Sequence, residues 1–185
     1  MSNKSGQTAE PNDAQEHEEV LEADDSAQEQ TVLAHREQLT ARMRNGGNWF
    51  FWIAGLSIVN TVILLAQGDR QYMVGLGVTQ FVNGFALAMV KQAPDIGAGA
   101  KIAAFVFTLM ASSVVGAFAF GAKRGLTWLF ALGMGLYLFD GLLLAVFQDW
   151  LSAGFHLFAL ACMFGGLRAA RELNALDRAA RAEAD

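Results

Sequence analysis

Hydrophobic residues are gathered along this chain into five long runs, separated by short polar breaks. The runs occupy 49–66, 71–90, 102–121, 126–147 and 151–168. A helix of about 20 residues, rising about 1.5 Å per residue, crosses a hydrocarbon layer roughly 30 Å thick. The pattern therefore predicts an all-α fold, an integral membrane bundle of four or five hydrophobic helices with short loops over residues 48–168.

The second run, 71–90, leaves the helix count open. It is the least apolar of the five and contains Gly75, Gly77, Gln80 and Asn83. Gly77, Gln80, Gly84, Ala88 and Lys91 form a stripe of small or polar residues on one side of this run. The segment either spans while packed among the other helices, or enters the membrane and only partly crosses.

The flanking regions are polar. Residues 1–28 are rich in Glu, Asp, Gln, Ser and Ala and hold no aromatic residue, which predicts a disordered acidic tail. Residues 29–47 have apolar positions at roughly helical spacing among arginines, which predicts an amphipathic surface helix ended by a hinge at Gly46-Gly47. Residues 169–185 predict a charged C-terminal helix.

The net charge of −5 comes from the tail. Residues 1–31 hold nine acidic residues and one basic residue, whereas the remaining 154 hold twelve basic and nine acidic residues. The low isoelectric point therefore says nothing about the partners of the membrane part. No basic patch is interleaved with aromatic residues, so nucleic-acid binding has no support.

One acid and one imidazole lie within the last two hydrophobic runs. Asp140 lies nine positions before Asp149, at the centre of the turn, and His156 lies seven positions after it. In an antiparallel hairpin these distances differ by two residues, or roughly 3 Å of axial offset. We therefore predict that Asp140 and His156 meet inside the membrane.

Five further residues are candidates to support this intramembrane polar pair: Tyr137, Gln80, Asn83, Asn60 and Ser152. Two interpretations stay open. The pair, or a hydrogen bond from it to one of the three amides, fixes helix register. Alternatively, two protonation states of the pair lie close in energy, which a proton-linked switch requires.

The sequence supports neither a cofactor nor a metal site. Cys162 is the single cysteine, and one His with one Asp makes an incomplete metal site. No second intramembrane histidine is present for a haem held by two imidazoles. A nucleophile elbow, an HExxH motif and a Walker loop are also missing, so we expect a protein that is not an enzyme.

Basic residues near the ends of the runs bear on orientation, because they concentrate on the cytoplasmic side. If all five runs cross, five basic residues lie on each side. If 71–90 does not fully cross, seven lie inside and three outside. The second arrangement is favoured and predicts that both termini are cytoplasmic.

The run KRGLTWLFALGMGLYLFDGLLLAVFQDWLSAGFHLFAL, residues 123–160, resembles a helical hairpin in a family of small uncharacterised bacterial polytopic membrane proteins. The shared features are Tyr-x-x-Asp, then Gln-Asp-Trp, then Gly-Phe-His. The segment GLGVTQ, residues 75–80, resembles an earlier part of the same group. This resemblance implies a membrane fold and a multi-pass protein of a bacterial cell (inner) membrane, but no particular activity.

These observations favour a non-enzymatic accessory or assembly component of the membrane. Its expected partners are the lipid bilayer and either other membrane proteins or further copies of the chain. The alternative is a small proton-linked transporter or channel component that uses Asp140 and His156.

Overall fold

The fold was obtained as a computed structural model, which describes residues 12–67 and 75–184; for 12–23, 25, 67 and 94 only the backbone is described. The described residues form five α-helices and one short 3-10 helix. These are α1 (Asn12–Gln67), α2 (Gly77–Gln92), the 3-10 helix (Pro94–Ile96), α3 (Gly97–Lys123), α4 (Thr127–Val146) and α5 (Trp150–Ala184). The predicted all-α fold is confirmed. Residues 1–11 of the predicted tail and 71–74 of the second hydrophobic run lie outside the described residues.

Four helices in the described part of the chain are long and apolar enough to cross a membrane. They are the stretch Ser26–Ala66 of α1, and α3, α4 and α5. The protein is therefore a multi-pass membrane protein. Helix α2 has 16 residues and extends for about 24 Å, less than the thickness of a bilayer core.

The chain divides into two units by its internal contacts, one ending at Gln38 and one running from Leu39 to Asp185. In the first unit, α1 is already helical from Asn12, where the sequence predicted disorder over 1–28. The reason is composition: Ala, Glu and Gln are good helix formers, although they bury little apolar area. Val32 and Leu33 of this unit are both more than half exposed.

The predicted hinge at Gly46-Gly47 is absent, because α1 continues through both glycines. Each glycine lies where another helix approaches closely. A Cβ on Gly46 would lie 2.7 Å from the Cα of Gly166, and one on Gly47 would lie 3.0 Å from Cγ of Lys123. The two glycines therefore permit close helix packing rather than a turn into the bilayer.

The apolar face of the predicted surface helix is also partly used inside the protein. Leu39 and Met43 are buried and form a small cluster with Ala169 and Ala170 of α5. Helix α5 runs without interruption to Ala184, so the predicted charged C-terminal helix is a continuation of the last hydrophobic helix.

The main core lies among α1, α3, α4 and α5. Phe50 of α1 packs against Phe118 of α3 and Phe130 of α4, with ring centroids 6.1 and 5.6 Å apart. Met163 of α5 is fully buried in the same cluster. Aromatic and sulfur-containing side chains of four helices thus fill the centre of the bundle.

Helix α2 begins inside the bundle rather than at its edge. The backbone N–H of Leu76, just before α2, donates to Oγ of Ser57, in the middle of the hydrophobic part of α1. Further along α2, Asn83 Nδ2 donates to Thr61 Oγ1, which is also 3.0 Å from Thr108 Oγ1 of α3. Backbone that leaves a helix at membrane depth is tolerated where protein surrounds it, as it does here.

Candidate functional site

The carboxylate of Asp140 lies at the start of α2. Its Oδ2 accepts a hydrogen bond from the backbone N–H of Gly77 at 2.6 Å, and its Oδ1 accepts one from Val78 at 2.8 Å. The N-terminal residues of a helix have unpaired N–H groups and a partial positive charge. The residue before α2, Leu76, has no side chain able to satisfy them. Asp140, from another helix, therefore caps α2 inside the bundle.

Glycines allow this close approach of backbone to carboxylate. Gly75 has φ of +138°, a conformation that residues with a Cβ rarely adopt, and its Cβ would contact the backbone of Ser57. A Cβ on Gly77 would lie 2.8 Å from Cγ of Leu144. The Gly-Leu-Gly sequence thus lets the chain turn and start a helix against α1 and α4.

His156 of α5 completes the site. Its Nε2 lies 3.0 Å from Asp140 Oδ2, and its Nδ1 lies 2.8 Å from the carbonyl oxygen of Ser152. Because a carbonyl only accepts, Nδ1 carries a hydrogen. A hydrogen bond between Nε2 and Oδ2 then needs one further proton, held by either atom. Asp140 and His156 are 7% and 1% exposed, so this hydrogen bond lies in a buried setting.

Tyr137 lies one turn before Asp140 on α4. Its ring stacks on the imidazole of His156, with centroids 4.2 Å apart and planes 18° apart. Its hydroxyl group is buried and has no hydrogen-bond partner among the described residues. Tyr137 thus positions the imidazole through its ring. Gly141, one turn after Tyr137 on α4, also packs closely against His156. A Cβ on Gly141 would lie 2.8 Å from Cβ of His156.

Ser152 has two roles at the beginning of α5. Its carbonyl oxygen holds His156, whereas its side chain belongs to the helix cap. Its Oγ donates to Asp149 Oδ2 at 2.6 Å, and its N–H donates to Asp149 Oδ1 at 3.2 Å. Asp149 thereby caps α5 and fixes its first turn, in which the carbonyl oxygen of Ser152 holds His156.

Asn83, one of the three predicted amide partners, binds elsewhere. Asn83 donates to Thr61 in the polar network between α1, α2 and α3. Gln80 lies on α2, and its buried Nε2 has no partner among the described residues. Asn60 is buried on α1. The structure thus brings Tyr137 and Ser152, but not Asn83, to the Asp140–His156 pair.

The sequence reasoning missed the backbone partners of Asp140. The N–H groups of Gly77 and Val78 carry no side-chain signature in the sequence. The available signal was the pair of glycines at 75 and 77, which indicated close packing without indicating a partner.

A cleft of about 450 Å³ opens between α3 and α4 beside the pair. Its walls are mainly apolar and include Phe107, Met110 and Leu136. Tyr137 and Asp140 also line it. The buried site therefore borders an apolar cleft. This cleft lies on the side of the bundle where Met110 and Leu136 are exposed.

Within the described residues, no cluster of three or more His, Cys, Asp or Glu side chains could hold a metal ion. Comparison of the chain with known protein families, curated proteins and solved structures gave no match. The fold and the site define the class instead. This is a multi-pass helical membrane protein in which a buried Asp–His pair caps a helix that starts inside the bundle.

Proposed function

We propose that the chain is a non-enzymatic accessory or assembly component of a bacterial inner membrane, acting through its outer helix faces. The supporting observation is that Asp140 and His156 already use their hydrogen-bonding groups within the chain. The carboxylate accepts from Gly77 and Val78 and is hydrogen-bonded to the imidazole, and the imidazole also binds Ser152. These bonds hold α2 in place, which supports the interpretation that the pair serves structure rather than proton transfer.

The outer faces are left for a partner. Trp52, Met110, Leu142 and Leu157 lie on α1, α3, α4 and α5, and each is more than half exposed. Lipid covers most of such a surface, and partner helices cover the rest. An accessory protein has at least one helix face in stable contact with another membrane protein.

Photo-cross-linking in intact membranes tests this proposal. A benzoylphenylalanine is placed singly at Trp52, Met110, Leu142 or Leu157, and at the fully buried Phe130 as the control. We expect a protein adduct of one mass at one or two of the four exposed positions, and lipid adducts at the others. An adduct of twice the chain mass identifies a second copy as the partner. Lipid adducts alone at all four exposed positions contradict an accessory role.

The second candidate function is a small proton-linked transporter or channel component. It is favoured by the hydrogen bond between Asp140 and His156, and by the 450 Å³ cleft that reaches Asp140 between α3 and α4. A buried acid hydrogen-bonded to an imidazole next to a cleft is an arrangement that proton-coupled transport can use. Flux through vesicles separates this function from the first, as argued below for Asp140→Asn.

We propose further that both termini are cytoplasmic, with α1, α3, α4 and α5 crossing and α2 returning to the side it came from. Two exposed positions distinguish this from a five-span arrangement: Asp95 between α2 and α3, and Arg124 between α3 and α4. In a Cys162→Ser background, we expect a membrane-impermeant maleimide added to whole spheroplasts to label Asp95→Cys but not Arg124→Cys. A five-span protein with a cytoplasmic N-terminus gives the reverse labelling.

A further inference from the structure

A groove of about 630 Å³ lies between α1 and α5, at the end of the bundle that carries Arg42 and Arg168. It is separate from the Asp140–His156 site, and the proposed function does not use it. Its floor is where α1 and α5 come closest, at Gly46 and Gly166. Because neither residue has a side chain, the two helices approach closely and leave a slot above their crossing.

The floor stays open along α5 as well. Gly165 is exposed and lines the groove, and a Cβ placed on it would meet nothing within 4 Å. Cys162, one turn earlier, is half-buried and also lines the groove. The residues that line this part of the slot are small and apolar, so it suits a hydrocarbon chain rather than a polar solute.

The mouth of the groove is basic. Arg42 and Arg168 are both exposed, one on each helix that forms the groove. Glu172 is the one acidic residue that lines it. Lys123, which lies against Gly47, and Arg124 belong to the same end of the bundle. Two guanidinium groups on facing helices match a phosphate, because each offers several N–H donors in a planar fork.

The depth of the groove matches the boundary between head groups and hydrocarbon. Trp49 lines the groove, and its ring meets Phe158 edge to face with centroids 5.5 Å apart. Indole rings prefer this interfacial depth. Phe158 is more than half exposed, so an apolar surface continues from the groove toward the middle of the bilayer.

We propose that this groove binds an anionic phospholipid from the surrounding leaflet. Arg42 and Arg168 hold the head-group phosphate, and one acyl chain lies over Gly165 and Cys162 and continues along Phe158. Basic pockets between membrane helices on the cytoplasmic side are where anionic head groups bind. The groove combines basic residues for the head group with an apolar slot for the acyl chain. A freely soluble phosphate would not require the apolar slot.

Lipid binding to the purified full chain in neutral detergent tests the proposal. Phosphatidylglycerol, phosphatidylcholine and inorganic phosphate are titrated separately, and bound molecules are counted by native mass spectrometry. We expect one phosphatidylglycerol to bind more tightly than phosphatidylcholine. We expect Arg42→Gln with Arg168→Gln together to weaken it about thirtyfold, since each basic group near a membrane surface contributes roughly one factor of five. Arg124→Gln, at the same end of the bundle but outside the groove, should bind like the original chain.

A second variant tests the slot without changing charge. Gly165→Leu places a side chain into the groove, whereas Gly154→Leu places one on α5 where a Cβ also meets nothing within 4 Å. We expect Gly165→Leu to weaken phosphatidylglycerol binding and Gly154→Leu to leave it unchanged. Equal binding of phosphatidylcholine, equal occupancy by inorganic phosphate, or undiminished binding in both the double arginine variant and Gly165→Leu would each overturn the proposal.

Discussion

Asp140→Ala is expected to lower the free energy of unfolding by about 3–5 kcal/mol, because it leaves several buried groups without a partner. The N–H groups of Gly77 and Val78 lose their acceptor, and His156 loses the oxygen that faces Nε2. Gly77 and His156 are buried, and Val78 borders a cleft whose walls are mainly apolar. Unfolding of the purified chain in mixed detergent micelles, followed as loss of helical signal with added denaturing detergent, measures the change.

Asp140→Asn should be destabilising by less, about 1–3 kcal/mol, because one amide oxygen can still accept from Val78. The amide nitrogen then faces the N–H of Gly77, so two hydrogen-bond donors oppose each other. In the original chain the carboxylate accepts from this N–H at 2.6 Å. Asp95→Asn, at an exposed acid, is the matched control and should change stability by less than about 0.5 kcal/mol. A loss as small for Asp140→Ala as for the control would mean that the carboxylate does not hold α2.

The asparagine variant also separates the two candidate functions. If the pair serves structure, reconstituted vesicles should show no pH-driven flux above that of empty vesicles, with or without the substitution. If the pair carries protons, the original chain should show flux, and Asp140→Asn should lose it while retaining most of its stability. The second result would replace the accessory role with the transport role.

The hydrophobic runs were a reliable guide to the fold because the bilayer fixes their length. The runs 102–121 and 126–147 correspond to α3 and α4, and 151–168 lies within α5. Helices that cross hydrocarbon must satisfy their backbone internally, so a run of about 20 apolar residues has few alternatives. That argument does not need any knowledge of the neighbouring helices.

The continuation of α1 through Gly46-Gly47 could not be predicted in the same way. Two adjacent glycines end a helix when the chain turns, but they also allow two helices to touch backbone to backbone. Only the position of Gly166 on α5 decides between these uses. The sequence contains both glycine sites but not the helix crossing that joins them.

The Asp140–His156 contact was predictable because it depends on only two quantities, the rise of a helix and the centre of the turn. The structure gives 3.0 Å between Nε2 and Oδ2. The start of α2 depends on much more, since Leu76 lies at the depth of Ser57, in the middle of the hydrophobic part of α1. No periodicity in the sequence encodes that position, so the capping of α2 by Asp140 was missed.

Gly166→Ala is expected to lower the free energy of unfolding by about 2–3 kcal/mol, the range of a core that is overfilled. Its Cβ would lie 2.7 Å from the Cα of Gly46 and 3.2 Å from the carbonyl oxygen of Arg42. These are backbone atoms, which no side-chain rotation can move aside. The helices α1 and α5 must separate, and the contacts of Leu39 and Met43 with Ala169 and Ala170 weaken with them.

The neighbouring glycine supplies the matched control for this substitution. Gly165→Ala adds the same methyl group one residue earlier, where nothing lies within 4 Å. Alanine favours a helix over glycine by about 1 kcal/mol, so Gly165→Ala should leave stability unchanged or raise it slightly. The difference between the two variants, measured by the same detergent unfolding, removes the shared effect of helix propensity. If the two variants unfold together, α1 and α5 do not meet at Gly46 and Gly166. In that case the groove between α1 and α5 would also be wrong, because its floor is this contact between helix backbones.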